Sequence, residues 1–327
     1  MFRREDGLPL GKRAIRAGSN RLTVMMPARN AAKTIQRAVV STLRAMPEDA
    51  VLLVLDDASE DETPDIVRRL ARKDSRLGLL GGGDKALGIP GASNALLENS
   101  DTPLFARMDA DDITLPGRFT RQLKAIENAD FNFCSTVFHG PGRWTLEPVP
   151  VLSSNKESSL RELLVHDPFF HSALLGRREV MDEMDGYRDV PSEDWDLFLR
   201  LGASGGCMTR SATPGIIYRR HPTQITKRDD WKASVVENKP MSEAHDALCR
   251  YVFGEPSGAY RALAGTGATL PEVRLAETLI ARVAAESAKF PRAERLSLKI
   301  TTHGVLLRLH KRYAEILGDE NVGAADR

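Results

Sequence analysis

From about residue 21 to about residue 138 the chain alternates short apolar runs with amphipathic stretches, and this alternation leaves few folds open. Residues 22–26 form an apolar run that stops at Pro27. Ile35, Ala38, Val39, Thr42, Leu43 and Met46 follow at a spacing that predicts one face of a helix. Residues 51–55 are five apolar residues in a row and read as a buried strand. Thr63-Pro64-Asp65 marks a helix start, with a capping hydroxyl, a proline in the first turn and an acid facing the dipole. The cycle repeats with strands expected at 77–80, 104–108 and 131–138, and helices at 91–98 and 116–128. Strands separated by helices predict an α/β fold, a mostly parallel sheet with helices on both faces. Ligands of such sheets bind outside the carboxyl ends of the strands, so the turns there are the places to look.

After about residue 228 the strand signals stop. Helices are expected at 231–253, 271–287 and 293–317, interrupted at Pro256, Gly265 and Pro291. The chain therefore divides into a basic extension (1–20), an α/β domain (21–228) and a helical C-terminal region (229–327). The C-terminal helices offer packing on the domain or a homo-oligomer contact. A net charge of +1 gives no push toward nucleic acid. Cys134, Cys207 and Cys249 are too scattered for a disulfide framework or a zinc knuckle, which suggests a reducing compartment. No apolar run approaches the roughly 18 residues of a membrane span, so a cytoplasmic location is expected. Two basic groups leave room for peripheral contact with the inner face of a membrane. Arg3, Arg4, Lys12, Arg13 and Arg16 form one; Arg308, His310, Lys311 and Arg312 form the other, which could also meet an anionic glycan or a lipid head group. For either group a solvated surface is the first reading and such a contact the second.

Two acidic clusters follow expected strands directly: Asp56-Asp57, and Asp109, Asp111 and Asp112. Carboxylates packed together repel unless water or a cation neutralises them. Aspartate is common in turns, so one such cluster can be a solvated turn. Two at strand ends in one chain favour function. Asp-x-Asp offers hard oxygen ligands that suit Mg²⁺ or Mn²⁺. A calcium EF-hand beginning at Asp109 would need Gly at Thr114 and Glu at Thr120. A third acidic site, Glu193-Asp194, opens an amphipathic helix with Trp195, Phe198 and Leu199 on one face. On spacing alone it is either a helix cap or a general base.

The ordered set of these motifs resembles family 2 glycosyltransferases of the GT-A fold, over roughly residues 22–226. Val24-Met25-Met26-Pro27-Ala28-Arg29-Asn30 is similar to the opening strand and donor loop. Val54-Leu55-Asp56-Asp57-Ala58-Ser59 resembles the nucleotide-binding turn. Met108-Asp109-Ala110-Asp111-Asp112 resembles the metal-binding DXD region, with Leu115-Pro116-Gly117-Arg118-Phe119 after it. Glu193-Asp194-Trp195-Asp196 resembles the acidic pair that ends in the base. The resemblance implies an inverting transfer of a hexosyl or N-acetylhexosaminyl group. The donor would be a nucleotide-diphosphate sugar, a UDP-sugar first. The acceptor would be a hydroxyl of a glycan or lipid-linked molecule in cell-surface polysaccharide or glycoconjugate synthesis. It further implies that Pro27, Ala28, Arg29 and Asn30 line the nucleoside and Asp57 meets the base. Asn94 joins the donor site, Asp109 acts on the sugar side or through water to the metal, and Asp111 ligates Mn²⁺ or Mg²⁺. Asp194 takes the acceptor proton. Tyr218-Arg219-Arg220-His221-Pro222 resembles a late motif that brings His221 or an arginine to the metal or diphosphate, against a plain surface histidine.

The pattern departs from the family at Ala92-Ser93-Asn94, where members often carry Ala-Arg-Asn; Lys85 or Arg107 is a substitute cation. The QxxRW motif of processive polymerases is absent. Two other readings stand beside this one. A sugar nucleotidyltransferase would want a glycine-rich basic loop where Pro27-Ala28-Arg29-Asn30 stands. A catalytically silent nucleotide-sugar-binding protein has no use for both Asp111 and Asp194.

Overall fold

The computed structural model describes residues 21–81, 83, 85–140, 146–148, 152–220, 224 and 228–318; the basic extension and His221 lie outside them. In chain order the first elements are β1 (Leu22–Ala28), α1 (Ile35–Ala45), β2 (Ala50–Asp56), α2 (Thr63–Ala71), β3 (Leu77–Gly81), α3 (Gly88–Glu98) and β4 (Leu104–Arg107). Next come β5 (Ile113–Thr114), α4 (Arg118–Ala125), β6 (Phe131–His139), β7 (Leu146–Pro148), α5 (Lys156–Leu163), β8 (Leu174–Arg177), α6 (Arg178–Glu183), α7 (Glu193–Ala203) and β9 (Met208–Arg219). The rest is helical: α8 (Asp229–Val236), α9 (Lys239–Phe253), α10 (Tyr260–Ala264), α11 (Leu270–Glu286), α12 (Arg292–Arg312) and α13 (Ala314–Leu317). Two compact units share the chain: Met1–Pro150, Phe169–Asp189 and Ser211–His221 make the first, and Val151–Pro168, Val190–Arg210 and Pro222–Arg327 the second. The helical unit therefore also takes in stretches well before residue 228, where the sequence pattern set a boundary.

The sheet runs in the order β3-β2-β1-β4-β8-β6-β9-β5, with β7 on β6. Its first half is parallel, as the alternation predicts: β1 pairs with β2 and β4, and β2 with β3. Every residue of β2 is buried, as a central strand covered on both faces requires. Each parallel step passes through a helix, which supplies the long crossover that parallel pairing needs. The second half is antiparallel, with β8 against β4 and β6, β7 against β6, and β5 against β9, so the sheet is mixed. These strands lie beyond the last regular strand–helix repeat, where no period in the sequence reports strand direction.

The strand order turns at β1. The chain steps from β1 out through β2 to β3, then returns to place β4 on the other side of β1. That reversal opens a crevice at the carboxyl ends of β1 and β4, the usual ligand position in such sheets. Two features brace it. The Ser41 hydroxyl on α1 accepts from Thr114 N at 3.1 Å, and the buried Thr42 and Thr114 hydroxyls pair at 2.9 Å. The guanidinium of Arg118, wholly buried, donates to the Arg107 carbonyl at 2.9 Å, to Leu174 O at 3.3 Å and to Met108 Sδ at 3.4 Å. Arg118 thus pins the end of β4 from behind, and Gly117, at φ +76°, starts α4 so that it can.

In the helical unit the stretch expected as one helix over 231–253 is two. Asn238 accepts from Met241 N and Pro240 lies in the first turn, so a new helix begins there. The buried Glu162 pairs with Arg210 at 2.9 Å and accepts from Ser297, which fastens α12 to α5. Removing one partner would leave an uncompensated buried charge, at about 3–5 kcal/mol. Among the described residues no helix is long and apolar enough to cross a membrane.

Candidate active site

The acidic turn joins β4 to β5 at the switch point. Oxygens of Asp109, Asp111 and Asp112 lie within 4.8 Å of one another. The three carboxylates have different surroundings. Asp112 is 1% exposed; its Oδ1 accepts from Arg219 N at 2.9 Å and its Oδ2 from the Ser172 hydroxyl at 2.7 Å. Burial, and then the charges of Asp109 and Asp111, push the Asp112 carboxyl well above the usual aspartate range. A cation beside it would act in the opposite direction. Asp109 pairs with the buried Arg107 guanidinium at 3.1 Å. Asp111 is half-buried, and its backbone carbonyl accepts from Arg219 Nε at 3.1 Å. An all-oxygen ligand set of this compactness fits Mg²⁺ or Mn²⁺.

Asp57 stands at the end of β2, on the other side of β1. Two strand spacings place the β2 and β4 turns about 10 Å apart, a gap that a nucleoside diphosphate can bridge. The buried Asp57 carboxylate accepts from Leu87 N at 2.6 Å and from Gly88 N at 3.1 Å, capping α3 from a distant loop. Its neighbour Asp56 keeps a buried Oδ1 with no hydrogen-bond partner among the described residues. The loop after β1 is bound to the loop after β2. Asn30 N donates to the Ser59 hydroxyl at 2.9 Å, Asn30 Oδ1 accepts from Glu60 N at 2.8 Å, and Thr63 Oγ1 accepts from Ala31 N at 2.8 Å. Pro27 and Ala28 end β1, while Arg29 and Asn30 are exposed on this loop.

Asn94 lies on α3 with its amide clamped to the backbone of Tyr187, donating to Tyr187 O at 2.8 Å and accepting from Tyr187 N at 2.9 Å. A side chain at Gly186 would meet Asn94 Oδ1 at 2.6 Å, and φ there is +65°, so glycine is required. The Tyr187 hydroxyl bonds His171 Nε2 at 2.8 Å, one residue before Ser172. Arg107, one of the two substitute cations, faces Asp109 and the Met108 carbonyl, while Lys85 is exposed. In the helical unit Asp194 is half-buried at the first turn of α7, its Oδ1 accepting from Trp195 N at 2.8 Å and the Ser192 hydroxyl at 3.1 Å.

The first unit thus brings together Asp109, Asp111 and Asp112, and sets the Asp57 and Asn30 loops at the same sheet edge. Sequence reasoning missed Ser172, His171 and Tyr187. They carry no motif spacing and reach the site only through the antiparallel half of the sheet. Arg219 did stand in the late motif, but nothing there pointed to its backbone N–H on Asp112. One other group of metal-ligand types occurs among the described residues, His245, Asp246 and Cys249 on α9. It is satisfied internally: His245 bonds Leu164 O, Asp246 accepts from Ser257 N and Gly258 N, and the Cys249 thiol, pushed up to about 11 by burial, donates to Ser257.

Comparison with known proteins agrees with this geometry. The succinoglycan biosynthesis protein ExoU of Rhizobium meliloti is 37% identical over 108 residues, covering 33% of this chain and 31% of that protein. The Escherichia coli protein named UDP-Glc:alpha-D-GlcNAc-diphosphoundecaprenol beta-1,3-glucosyltransferase WfaP is 22% identical over 71% of this chain and 92% of its own. The alignment with ExoU thus spans about a third of that relative's length. Two solved structures share the fold. Staphylococcus aureus TarS 1-349 in complex with UDP-GlcNAc has a TM-score of 0.56 at 13% identity, covering 90% of this chain and 91% of its own. The mannosyltransferase PcManGT of Pyrobaculum calidifontis, in complex with GDP-Man and Mn2+, has 0.52 at 17% identity, covering 93% and 89%. The pattern of glycosyl transferase family 2 matches residues 23–184, the stretch that holds both acidic turns and Asn94. With motif order, switch-point site and matched pattern in agreement, residues 23–184 of the chain belong to the family 2 glycosyltransferases.

Proposed function

We infer that this chain transfers a sugar, with inversion, from a nucleotide-diphosphate sugar to a hydroxyl of a glycan or lipid-linked acceptor in cell-surface polysaccharide or glycoconjugate synthesis. The observation that carries the reading is the three-carboxylate turn at the switch point of the sheet. A UDP-sugar is the first candidate donor, in keeping with the names of WfaP and the TarS complex. Mn²⁺ or Mg²⁺ held at Asp111 with Asp109, and His221 as a further ligand, would supply positive charge to the departing diphosphate. Asp57 and the loop Pro27–Ala28–Arg29–Asn30 hold the nucleoside, with Asn94 supporting them through α3. Beside Asp57, the buried Asp56 Oδ1 is an acceptor without a partner among the described residues.

Asp194 serves as the base. The acceptor hydroxyl gives its proton to the Asp194 carboxylate as its oxygen bonds to the anomeric carbon. The bond from that carbon to the diphosphate oxygen breaks, and the nucleoside diphosphate leaves with the electron pair. General-base assistance of this kind contributes about 10²–10⁴-fold. The reading is tested by a nucleotide-release screen across UDP-, GDP- and dTDP-sugars, with and without Mn²⁺, beside Asp111→Ala and Asp194→Asn. Asp194→Asn is expected to bind donor normally and to lose transfer by at least about 10²-fold. Full transfer in that variant removes Asp194 as the base. Donor binding indifferent to chelator removes the metal assignment.

A further inference from the structure

Helix α12 has two apolar faces. Leu298, Thr302, Val305 and Leu309 are buried in the helical unit. On the opposite side Leu296 is 48%, Ile300 48% and Leu307 39% exposed. At 100° per residue these three fall within one narrow arc. Exposed cations border the arc on both sides: Arg292 and Lys299 on one edge and Lys311 on the other, with Arg308 farther round and His303 beside Leu296. The helix holds six Lys and Arg residues against a single acid, Glu294, which falls outside the arc. The whole chain, by contrast, nets only +1. A solvated helix face has no use for three large aliphatic side chains in a row. A buried protein contact would not ring them with like charges.

We propose that the outward face of α12 docks on an anionic lipid surface. An apolar stripe flanked by long cations is the arrangement of an interfacial helix: the aliphatic groups enter the boundary of head groups and acyl chains, and the Lys and Arg stems reach back to the phosphates. A second copy of the chain is the poorer occupant, since pairing two such faces would set cation against cation. The proposal extends the reading of a lipid-linked acceptor but does not depend on the donor chemistry. Vesicle binding and nucleotide release therefore fail independently.

The test is co-sedimentation of the full chain with phosphatidylcholine vesicles, with and without phosphatidylglycerol. Beside it run Leu296→Ser/Ile300→Ser/Leu307→Ser and Lys299→Glu/Lys311→Glu, each checked for an unchanged thermal melt and unchanged donor binding. All substituted side chains are exposed, so folding is expected to survive. The wild type is expected to sediment with phosphatidylglycerol vesicles and to release as salt rises. Either variant is expected to bind at least about tenfold more weakly: each basic residue near an anionic surface is worth roughly fivefold, and the triple serine variant loses three aliphatic side chains that would enter the boundary. Binding that is absent, or unchanged in both variants, overturns the proposal. So does a dimer of the wild type, seen by sedimentation velocity, that the triple serine variant abolishes.

Discussion

Asp111 and Asp112 are neighbours in sequence with different surroundings. Asp112 is enclosed, with one oxygen on the Arg219 backbone and the other on the Ser172 hydroxyl. It sets the shape of the turn, and Asp111 is the half-buried neighbour whose carboxylate we propose as the metal ligand. Ser172→Ala leaves one Asp112 oxygen buried without its partner, a cost of about 1–3 kcal/mol in stability. It also loosens the support of the turn. Mn²⁺ affinity, read by calorimetry, is expected to fall about 10–100-fold, as for other groups that orient metal ligands. An affinity unchanged in a variant that melts earlier would reduce Ser172 to packing alone. The motif around Asp111 was legible because carboxylates at a strand end are conspicuous. The division between Asp111 and Asp112 was not, because both hydroxyl and amide partners arrive from 60 and 107 residues away.

At the scale of elements, Asp57 shows how a residue that resembles a ligand contact can also be a structural one. Its two oxygens receive the first free N–H groups of α3. Asp57→Asn keeps one acceptor and turns a donor toward the other N–H, so α3 loses a charged cap and gains a repulsive contact. Stability is expected to fall by about 1 kcal/mol or more. Because α3 carries the Asn94 clamp to Tyr187, donor affinity is expected to fall with it. Donor affinity lost with no change in the melting curve would show a contact to the base alone. The strands and helices up to α4 were readable because period 2, period 3.6 and continuous apolar runs are local signals. The break between α8 and α9 was hidden by a continuous run of helix-compatible residues, although Asn238 and Pro240 are ordinary start signals.

At the scale of the whole molecule, the helical unit brings an acid sensitivity. His245 is completely buried, and its Nε2 faces the Leu164 carbonyl at 2.9 Å, so that nitrogen carries the proton of a neutral ring. Burial lowers its proton affinity below the ordinary value of 6.5. The unfolded chain takes up a proton at His245 as pH falls through about 6.5, while the folded chain does not. The unfolded state then binds more protons, so stability rises with pH in this range and is lost on acidification below about 6.5. His245→Gln retains a donor for Leu164 O and is expected to flatten that part of the slope in melting curves between about pH 6.5 and 5. An unchanged slope would place the acid sensitivity elsewhere.

The sequence by itself determined the alternating α/β unit, the positions of its acidic turns at strand ends and the helical character of the C-terminal third. All of these follow from periodicity and residue chemistry within windows of a dozen residues. Tertiary structure alone decided the antiparallel half of the sheet and the compact units between which the chain passes repeatedly. It also decided the burial of Asp112 and the capping of α3 by Asp57. The reason is physical: strand direction, burial and hydrogen-bond partners depend on which distant segments pack together, and no local pattern encodes that choice.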